Sequence, residues 1–522
     1  MKKLIIICMI VHGIVLHAQS PYPNIKIGNF NGPNEPSIAI NHKNPLEMMA
    51  GSNLNYWYYS VDGGYSWTGG VLESPEYGVW GDPVIIADTI GDFYFFHLSN
   101  PINGSWIDRI VCQKFDKETL SWSAGTYMGL NGTKAQDKPW AVVDPRTNTI
   151  YVSWTQFDEY GSSDPQCESN ILFSKSTDGG ESWSEAIRIN EVAGDCIDSG
   201  NTVEGAVPAV GPNGEVYIAW SGPEGIVFNR SIDGGESWLG HNIFVTEQLG
   251  GWDLAIPGIY RANGMPITRC DLSGGPNHGT IYINYADQSN GTHDTDVWVV
   301  KSTDGGFTWS EPIRVNDDPA GKHQFFTWME VDQANGTLYF VFYDRRNHSD
   351  NNTDVFMAIS RDSGNTFENI RISESPFLPA NGQFFGDYNN ISVVNNIVRP
   401  IWTRRESNGK LSLYTAIIDM SVTLPEKEEH ILALEQNFPN PFIQYTLITY
   451  KLFRPSAVRL SLHDALGREL KVLINNQQAG AGKHTYVFDN TEHQIASGAY
   501  FLVLTSDQQQ RQIKILISEN SN

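Results

Sequence analysis

The sequence predicts an all-β protein whose larger part is a β-propeller, a ring of small antiparallel sheets called blades. An eight-residue turn pattern occurs five times, with its Asp positions separated by 116, 55, 71 and 58 residues. The first gap is about twice the others, which indicates one repeat without the pattern. Such a period indicates stacked repeats rather than one continuous core. The 48 glycines, 26 prolines and 12% aromatic residues suit short strands joined by many turns.

The repeated pattern reads S-x-D-x-G-x-[ST]-[WF] and follows an apolar strand. In a tight hairpin the Asp accepts backbone N–H bonds, the Gly takes a positive φ, and the aromatic residue packs over the loop. We therefore expect the pattern to be structural. The copies span residues 60–67, 176–183, 231–238, 302–309 and 360–367, with the carboxylates Asp62, Asp178, Asp233, Asp304 and Asp362.

A second repeated element consists of a polar tip, often followed by proline, and then an apolar strand. It occurs near residues 34, 81, 137, 204, 265, 325 and 386. We expect these segments to be the inner strands of seven blades between residues 22 and 420, with six blades as the alternative. Residues 25–30 would complete the last blade, which closes the ring and removes an exposed sheet edge.

Propeller geometry places the repeated turns on one rim and the starts of the inner strands on the opposite face. The polar tips should therefore line a central funnel, which Arg261 and Trp80 are also expected to reach. Arginine binds a carboxylate through two parallel hydrogen bonds, and crowded carboxylates raise one another's pKa, as a general acid requires. The expected funnel residues are Glu35, Asp82, Asp137, Glu204, Asp387, Tyr388, Arg269, Arg345 and Arg404.

The turn pattern, called the Asp-box, and this residue set resemble the sialidases and related propellers. The resemblance implies a glycoside hydrolase with Asp82 as acid/base, Glu204 as partner carboxylate and Tyr388 as nucleophile. It implies that an arginine cluster and three more carboxylates bind the substrate: Arg269, Arg345, Arg404, Glu35, Asp137 and Asp387. Sialidases also carry a Phe/Tyr-Arg-Ile-Pro motif before the first box, but here no arginine precedes Arg109. The resemblance therefore does not extend to sialic acid as the substrate.

Other interpretations of these residues stay open. The carboxylates could bind backbone N–H groups of the neighbouring blade, and the arginines could anchor loops through salt bridges. The expected chemistry requires no cofactor, although a ring of oxygens could hold Ca²⁺ on the axis. For the propeller as a whole, the alternative is a non-catalytic module for glycan binding or adhesion, since fold does not fix function.

Residues 1–18 are typical of a signal peptide, with Lys2 and Lys3 before an apolar stretch. No later run reaches the ~18 apolar residues of a membrane span. The net charge of −24 argues against nucleic acid or an anionic membrane as a partner. Cys167 and Cys196 flank one strand–box–strand unit and could form a disulfide in an oxidising compartment.

The sequence pattern changes after Met420. Residues 421–433 form a charged linker, and residues 434–522 contain short strands and glycine turns without boxes. This segment resembles the type A sorting domain of the type IX secretion system of Bacteroidetes, a small β-sandwich. The resemblance implies export through the periplasm by that machinery, followed by release or attachment to the outer-membrane surface. A carbohydrate-binding sandwich is the alternative.

Overall fold

The computed structural model describes residues 20–420, 432–452, 455–506 and 509–518. The expected signal peptide and most of the expected linker lie outside these ranges. The chain forms two compact units that divide at residues 421 and 422. None of the helices in the described ranges is long and apolar enough to cross a membrane.

The first unit consists of seven antiparallel sheets, which we number as blades 1 to 7. Blade 1 contains Ser37–Ile40, Met48–Ser52, Tyr56–Ser60 and Thr68–Val71. Blade 2 contains Val84–Ala87, Phe93–Leu98, Ile110–Asp116, Ser121–Trp122 and Thr126–Met128. Blade 3 contains Ala135–Val143, Ile150–Phe157, Ser169–Ser176 and Ile187–Arg188.

The remaining blades repeat this order. Blade 4 contains Glu204–Val210, Val216–Gly222, Gly225–Ser231 and Ile243–Thr246. Blade 5 contains Ile267–Cys270, Ile281–Asp287, Asp296–Ser302 and Ile313–Arg314. Blade 6 contains Gln324–Asp332, Thr337–Asp344, Asp354–Ser360 and Glu368–Arg371. Blade 7 contains Asn390–Val394, Ile397–Arg405, Leu411–Ala416, Ile418–Asp419 and, from the start of the chain, Asn24–Gly28.

The inner strands contact one another in cyclic order, and the last of them contacts the first. Asn24–Gly28 pairs antiparallel with Leu411–Ala416, so the first strand of the chain completes the last blade. The seven sheets therefore form a closed ring, which is a β-propeller. Closure in this way leaves neither end of the ring as an open edge.

Each box joins the third and fourth strands of its blade. In blade 1, the hydroxyl of Ser60 accepts the N–H of Gly64 at 2.9 Å, and Asp62 accepts both the N–H and the hydroxyl of Ser66. Gly64 has a φ of 91°, a conformation that glycine adopts without strain. The other boxes repeat these bonds, with the carboxylates of Asp178, Asp233, Asp304 and Asp362.

Large aromatic side chains fill the axis of the ring. The rings of Trp140 and Trp328, from blades 3 and 6, have centroids 4.4 Å apart. Tyr388, which precedes the inner strand of blade 7, lies 5.0 Å from Trp140. All three side chains are buried. Blade 3 also carries a disulfide between Cys167 and Cys196, whose Cα atoms are 5.8 Å apart.

The second unit contains two antiparallel sheets and one short helix, Asn490–His493. The first sheet contains Leu432–Leu434, Tyr445–Leu452 and Gly482–Asp489. The second contains Glu469–Ala479, Ser456–His463, Gly498–Ser506 and Gln509–Ile517. Alternate residues of both sheets form one apolar cluster, for example Ile448, Leu460 and Leu502. This cluster is separate from the cores of the propeller.

Candidate functional site

In three blades, the residue before the proline of the polar tip has the same strained backbone conformation. Glu35, Asp82 and Lys138 each precede a proline, and their φ angles are 51°, 49° and 49°. Residues other than glycine rarely adopt such angles, and this strain is held in place by the surrounding structure. Because the three residues occupy the same position in consecutive blades, their side chains meet.

The ammonium of Lys138 lies among carboxylates from three other blades. Its Nζ is 2.8 Å from Asp387, 3.2 Å from Asp82 and 4.0 Å from Glu35. The Lys138 side chain is 5% exposed, so these charges interact with little solvent between them. Lys138 thus supplies the positive charge at the centre of the carboxylate group.

A second cation, Arg261, joins this cluster from the segment before blade 5. Its Nε and Nη2 donate to the two carboxylate oxygens of Asp387. Its Nη1 donates to Asp198 at 3.1 Å. Asp198 also accepts the hydroxyl of Tyr160 at 2.6 Å and the indole N–H of Trp252 at 2.9 Å. Each of the three guanidinium nitrogens of Arg261 therefore donates to a carboxylate of the chain itself.

A cavity of about 270 Å³ opens above these charges. Three carboxyl groups and both cations line it, and aromatic side chains form its wall. Trp80 and Trp106 meet edge to face at 5.8 Å and are 40% and 42% exposed. The main lining side chains are Glu35, Asp82, Asp137, Lys138, Arg261, Trp80, Trp106, Tyr160 and Phe384.

The carboxyl groups of the cavity have pKa values shifted in opposite directions. Burial and the charge of Asp82 raise the pKa of Glu35 well above its usual range. Burial likewise raises the pKa of Asp137, and Asp82 adds to this effect while Lys138 opposes it. Burial would also raise the pKa of Asp82, but Lys138 and hydrogen bonds with Asp137 and Glu35 outweigh it and lower the pKa. The cavity thus combines two carboxyl groups whose pKa values are raised with one whose pKa is lowered.

Glu204 and Tyr388 lie beside the cluster but do not line the cavity. Glu204 is fully buried, and among the described residues its carboxyl oxygens have no hydrogen-bond partner. Burial and the charges of Asp198 and Asp137 raise its pKa well above the usual range. The hydroxyl of Tyr388 is likewise buried without a described partner, and burial, Asp82 and Glu35 raise its pKa.

Of the four arginines expected in the funnel, Arg261 lines the cavity, whereas the other three lie elsewhere and each has its own partners. Arg269 pairs with Glu330 at 2.8 Å and lines a second cavity, of about 450 Å³, along the inner strands. Arg345 donates to the carbonyl of Pro257 at 2.6 Å, and Arg404 donates to the hydroxyl of Ser375 at 2.7 Å. Among the described residues, Arg261 is the arginine that lines the cavity with Asp82. The expected cluster does not form because Arg269 lies within the inner strand of blade 5 and Arg404 within the second strand of blade 7, whereas Arg345 binds the segment before blade 5.

The carboxylates of the tips bond to side chains rather than to the backbone of a neighbouring blade. Glu35 accepts the side-chain amide of Asn53, and Asp387 and Asp82 bind the cations already described. Asp137 accepts the N–H of Lys138, its own neighbour in the chain, at 2.9 Å. Within the described ranges, no group of three or more His, Cys, Asp or Glu side chains is arranged to hold a metal ion.

Sequence reasoning overlooked Lys138, although a signal was present. The tips of blades 1, 2 and 3 read Glu35-Pro, Asp82-Pro and Lys138-Pro, so the repeat changes the sign of its charge at one position. A lysine at a place where the other repeats carry carboxylates indicates an ion pair across the axis. Asp198 carries no comparable signal, because it comes from a loop between blades 3 and 4 rather than from a repeated tip.

Residues 436–518 match the family described as the secretion system C-terminal sorting domain. The second unit is therefore a sorting domain of the type IX system, and it implies an interaction with that machinery. The protein is exported and is secreted or attached to the outer-membrane surface. No curated protein matches the chain.

Several solved structures are similar to the chain at low identity. The NanB sialidase from Streptococcus pneumoniae is 8% identical, with 71% of this chain and 83% of that one covered and a TM-score of 0.43. An α-L-arabinanase from Penicillium chrysogenum is 12% identical, with 77% and 99% covered and a TM-score of 0.41. A polysaccharide lyase named as an ulvan lyase is 11% identical, with 76% and 96% covered and a TM-score of 0.47. The activities in these names are those of the named proteins.

Proposed function

We propose that the exported propeller binds glycans in the cavity around Lys138 and hydrolyses a glycosidic bond there. The observation that supports this most is the opposite pKa shift of carboxyl groups that face one cavity. Glycoside hydrolysis usually needs one carboxylic acid to protonate the leaving oxygen and one carboxylate to act at the anomeric carbon. Environments that push two pKa values apart create this pair.

The proposed general acid is Glu35. Its Oε2 accepts from Asn53, whereas its Oε1 lies 4.0 Å from the Nζ of Lys138 and has no hydrogen-bond partner within the described part of the chain. Because Glu35 lines the cavity, a modest movement of this side chain would bring a proton on Oε1 to a ligand. Asp137, whose pKa is also raised, is the second choice for this role.

The proposed ionised carboxylate is Asp82, which Lys138 keeps deprotonated at 3.2 Å. It would stabilise the positive charge that develops at the anomeric carbon, or attack that carbon. Glu204 and Tyr388, which are buried beside the cluster, are proposed to help position this pair. Tyr388 is close enough to Asp82 and Glu35 for their charges to raise its pKa, which disfavours a phenolate nucleophile at neutral pH.

A second candidate function is glycan binding without turnover. It is favoured by the ion pairs of the cluster, because Asp82 and Asp387 are already neutralised by Lys138 and Arg261. A carboxylate engaged in this way is a weaker nucleophile than a free one. The aromatic wall would suit either function, since sugar rings pack their apolar faces against aromatic side chains.

The purified chain should be tested for turnover against aryl glycosides and native glycans, with binding to the same panel measured in parallel. For the active substrate, Glu35→Gln and Asp82→Asn should each lower kcat by about 100-fold or more. Glu368→Gln, at an exposed ion pair with Arg361, is the matched control and should leave kcat unchanged. Binding without turnover in the native chain would favour the second function, and absence of binding would contradict both.

A further inference from the structure

Both cations of the cavity are already paired. The guanidinium of Arg261 uses Nε and Nη2 for Asp387 and Nη1 for Asp198. Lys138 is 5% exposed and contacts the carboxylates of Asp387 and Asp82. The positive charges of both cations are therefore already balanced by Asp82, Asp198 and Asp387, and a ligand carboxylate would compete with these partners.

The other titratable groups that line the cavity are carboxyl groups. Glu35 and Asp137 line it with raised pKa values, and neither offers a positive charge to an anionic ligand. A ligand carboxylate in this space would also meet Asp82, whose pKa is lowered, and like charges repel one another. The electrostatics of the cavity therefore oppose an anionic sugar.

The remaining surface of the cavity suits an uncharged sugar. Trp80 and Trp106 present partly exposed rings on one side, and Phe384 lies over Arg261 at 5.2 Å on the other. These rings offer apolar contact to the C–H faces of a pyranose. The carboxyl group of Glu35, whose buried Oε1 has no hydrogen-bond partner among the described residues, would form a hydrogen bond with a sugar hydroxyl.

From these contacts we infer that the cavity selects a neutral sugar residue and rejects its carboxylated counterpart. The inference rests on the proposed glycan site and adds its substrate class. Arg261 is the positioning residue of this selectivity, because Asp198 and Asp387 already neutralise its guanidinium.

Matched sugar pairs test the inference directly. Binding of methyl hexosides and the corresponding methyl hexuronides to the full chain should be measured by ligand-observed NMR at pH 7. Each neutral member that binds should do so about ten-fold or more tightly than its uronide. Equal or tighter binding of a uronide would overturn the inference and leave the glycan site standing, whereas absence of binding by every sugar would overturn the proposed function itself.

The variant Asp198→Asn tests the part assigned to Arg261. It removes one charge that holds the guanidinium while keeping an oxygen for Tyr160 or Trp252. The ratio of neutral to uronide affinity should fall several-fold, with the melting temperature confirming that the protein is folded. Asp158→Asn, at an exposed pair with Lys134, is the control and should leave the ratio unchanged. An unchanged ratio in Asp198→Asn would contradict the role given to Arg261.

Discussion

At the residue scale, one position in the repeat sets the charge of the axis. Glu35, Asp82 and Lys138 share a backbone conformation and differ in their side chains. The lysine holds carboxylates from other blades at 2.8 to 3.2 Å. Burial would lower the pKa of its ammonium, but Asp387 and Asp82 raise it well above the usual range. We therefore expect the buried carboxylates of the cluster to destabilise the fold when this cation is removed.

The change Lys138→Met should destabilise the propeller by about 3–5 kcal/mol, because it leaves buried carboxylates without their partner. Chemical denaturation at pH 7 would measure the free energy of unfolding. Lys134→Met is the control, since Lys134 pairs with Asp158 at the surface and both side chains are more than a third exposed. Its cost should be about 1 kcal/mol or less. Equal costs for the two changes would contradict the central role of Lys138.

Glu204 gives a prediction about pH. Its pKa is raised in the folded state, so between the unfolded pKa and the folded pKa the native state binds more protons than the unfolded state. The stability that Glu204 contributes is therefore present at low pH and falls as the pH rises through this window. Glu204→Gln should flatten the decrease of the melting temperature as the pH rises above the pKa of a free glutamate, about 4.3. Parallel curves for the two proteins would show that Glu204 is ionised in the folded state.

At the element scale, each box contacts the blade that precedes its own in the ring. Cations on the preceding blade donate to box carbonyls: Lys175 to Gly234, Arg230 to Gly305, Lys301 to Ser363 and Arg399 to Gly63. The box tryptophans also pack on that blade, as Trp238 does on Phe173 at 4.9 Å and Trp309 on Phe228 at 5.2 Å. The repeated turn is thus part of the interface between blades as well as a hairpin.

Arg399 makes this contact at the closure of the ring, between blades 7 and 1. It is buried and donates to the carbonyls of Gly63, Val398 and Ile418. Arg399→Met should cost about 2–4 kcal/mol, because three buried carbonyls lose their donor. Arg361→Met, at an exposed pair with Glu368, should change the free energy of unfolding by less than about 1 kcal/mol. A small effect at both positions would mean that closure depends on strand pairing alone.

At the scale of the whole molecule, the two units have separate apolar cores. Units with separate cores can fold independently. The sorting domain is the part that directs the chain to the secretion machinery. The propeller should therefore keep its structure when the second unit is removed.

Deletion of residues 434–522 should leave a folded propeller that accumulates in the periplasm of a host with a type IX system. Fractionation and protease protection would locate the protein, and its melting temperature would report on folding. The full chain in the same host is the control for export. Surface display of the truncated protein would contradict the export role, and an unfolded product would contradict the independence of the cores.

The sequence by itself determined the repeat, the fold class and the sorting domain. These follow from local interactions. A hairpin of this type needs an Asp and a Gly, such as Asp62 and Gly64, wherever it occurs in the chain. A segment in which apolar and polar residues alternate forms a strand that packs in a sheet. It also predicted that Glu35, Asp82 and Asp137 line one funnel, since their positions repeat.

Only the tertiary structure decided which cations meet these carboxylates. Of the arginines expected in the funnel, Arg269, Arg345 and Arg404 lie apart from the cavity, while Arg261 lines it together with the unpredicted Lys138. Lys138 and Asp387 are far apart in the sequence and come within 2.8 Å only because the ring closes. The repeat shows that Lys138 stands where other blades carry a carboxylate, but the pairing itself depends on how the blades assemble, and so the sequence does not show which carboxylates this lysine meets.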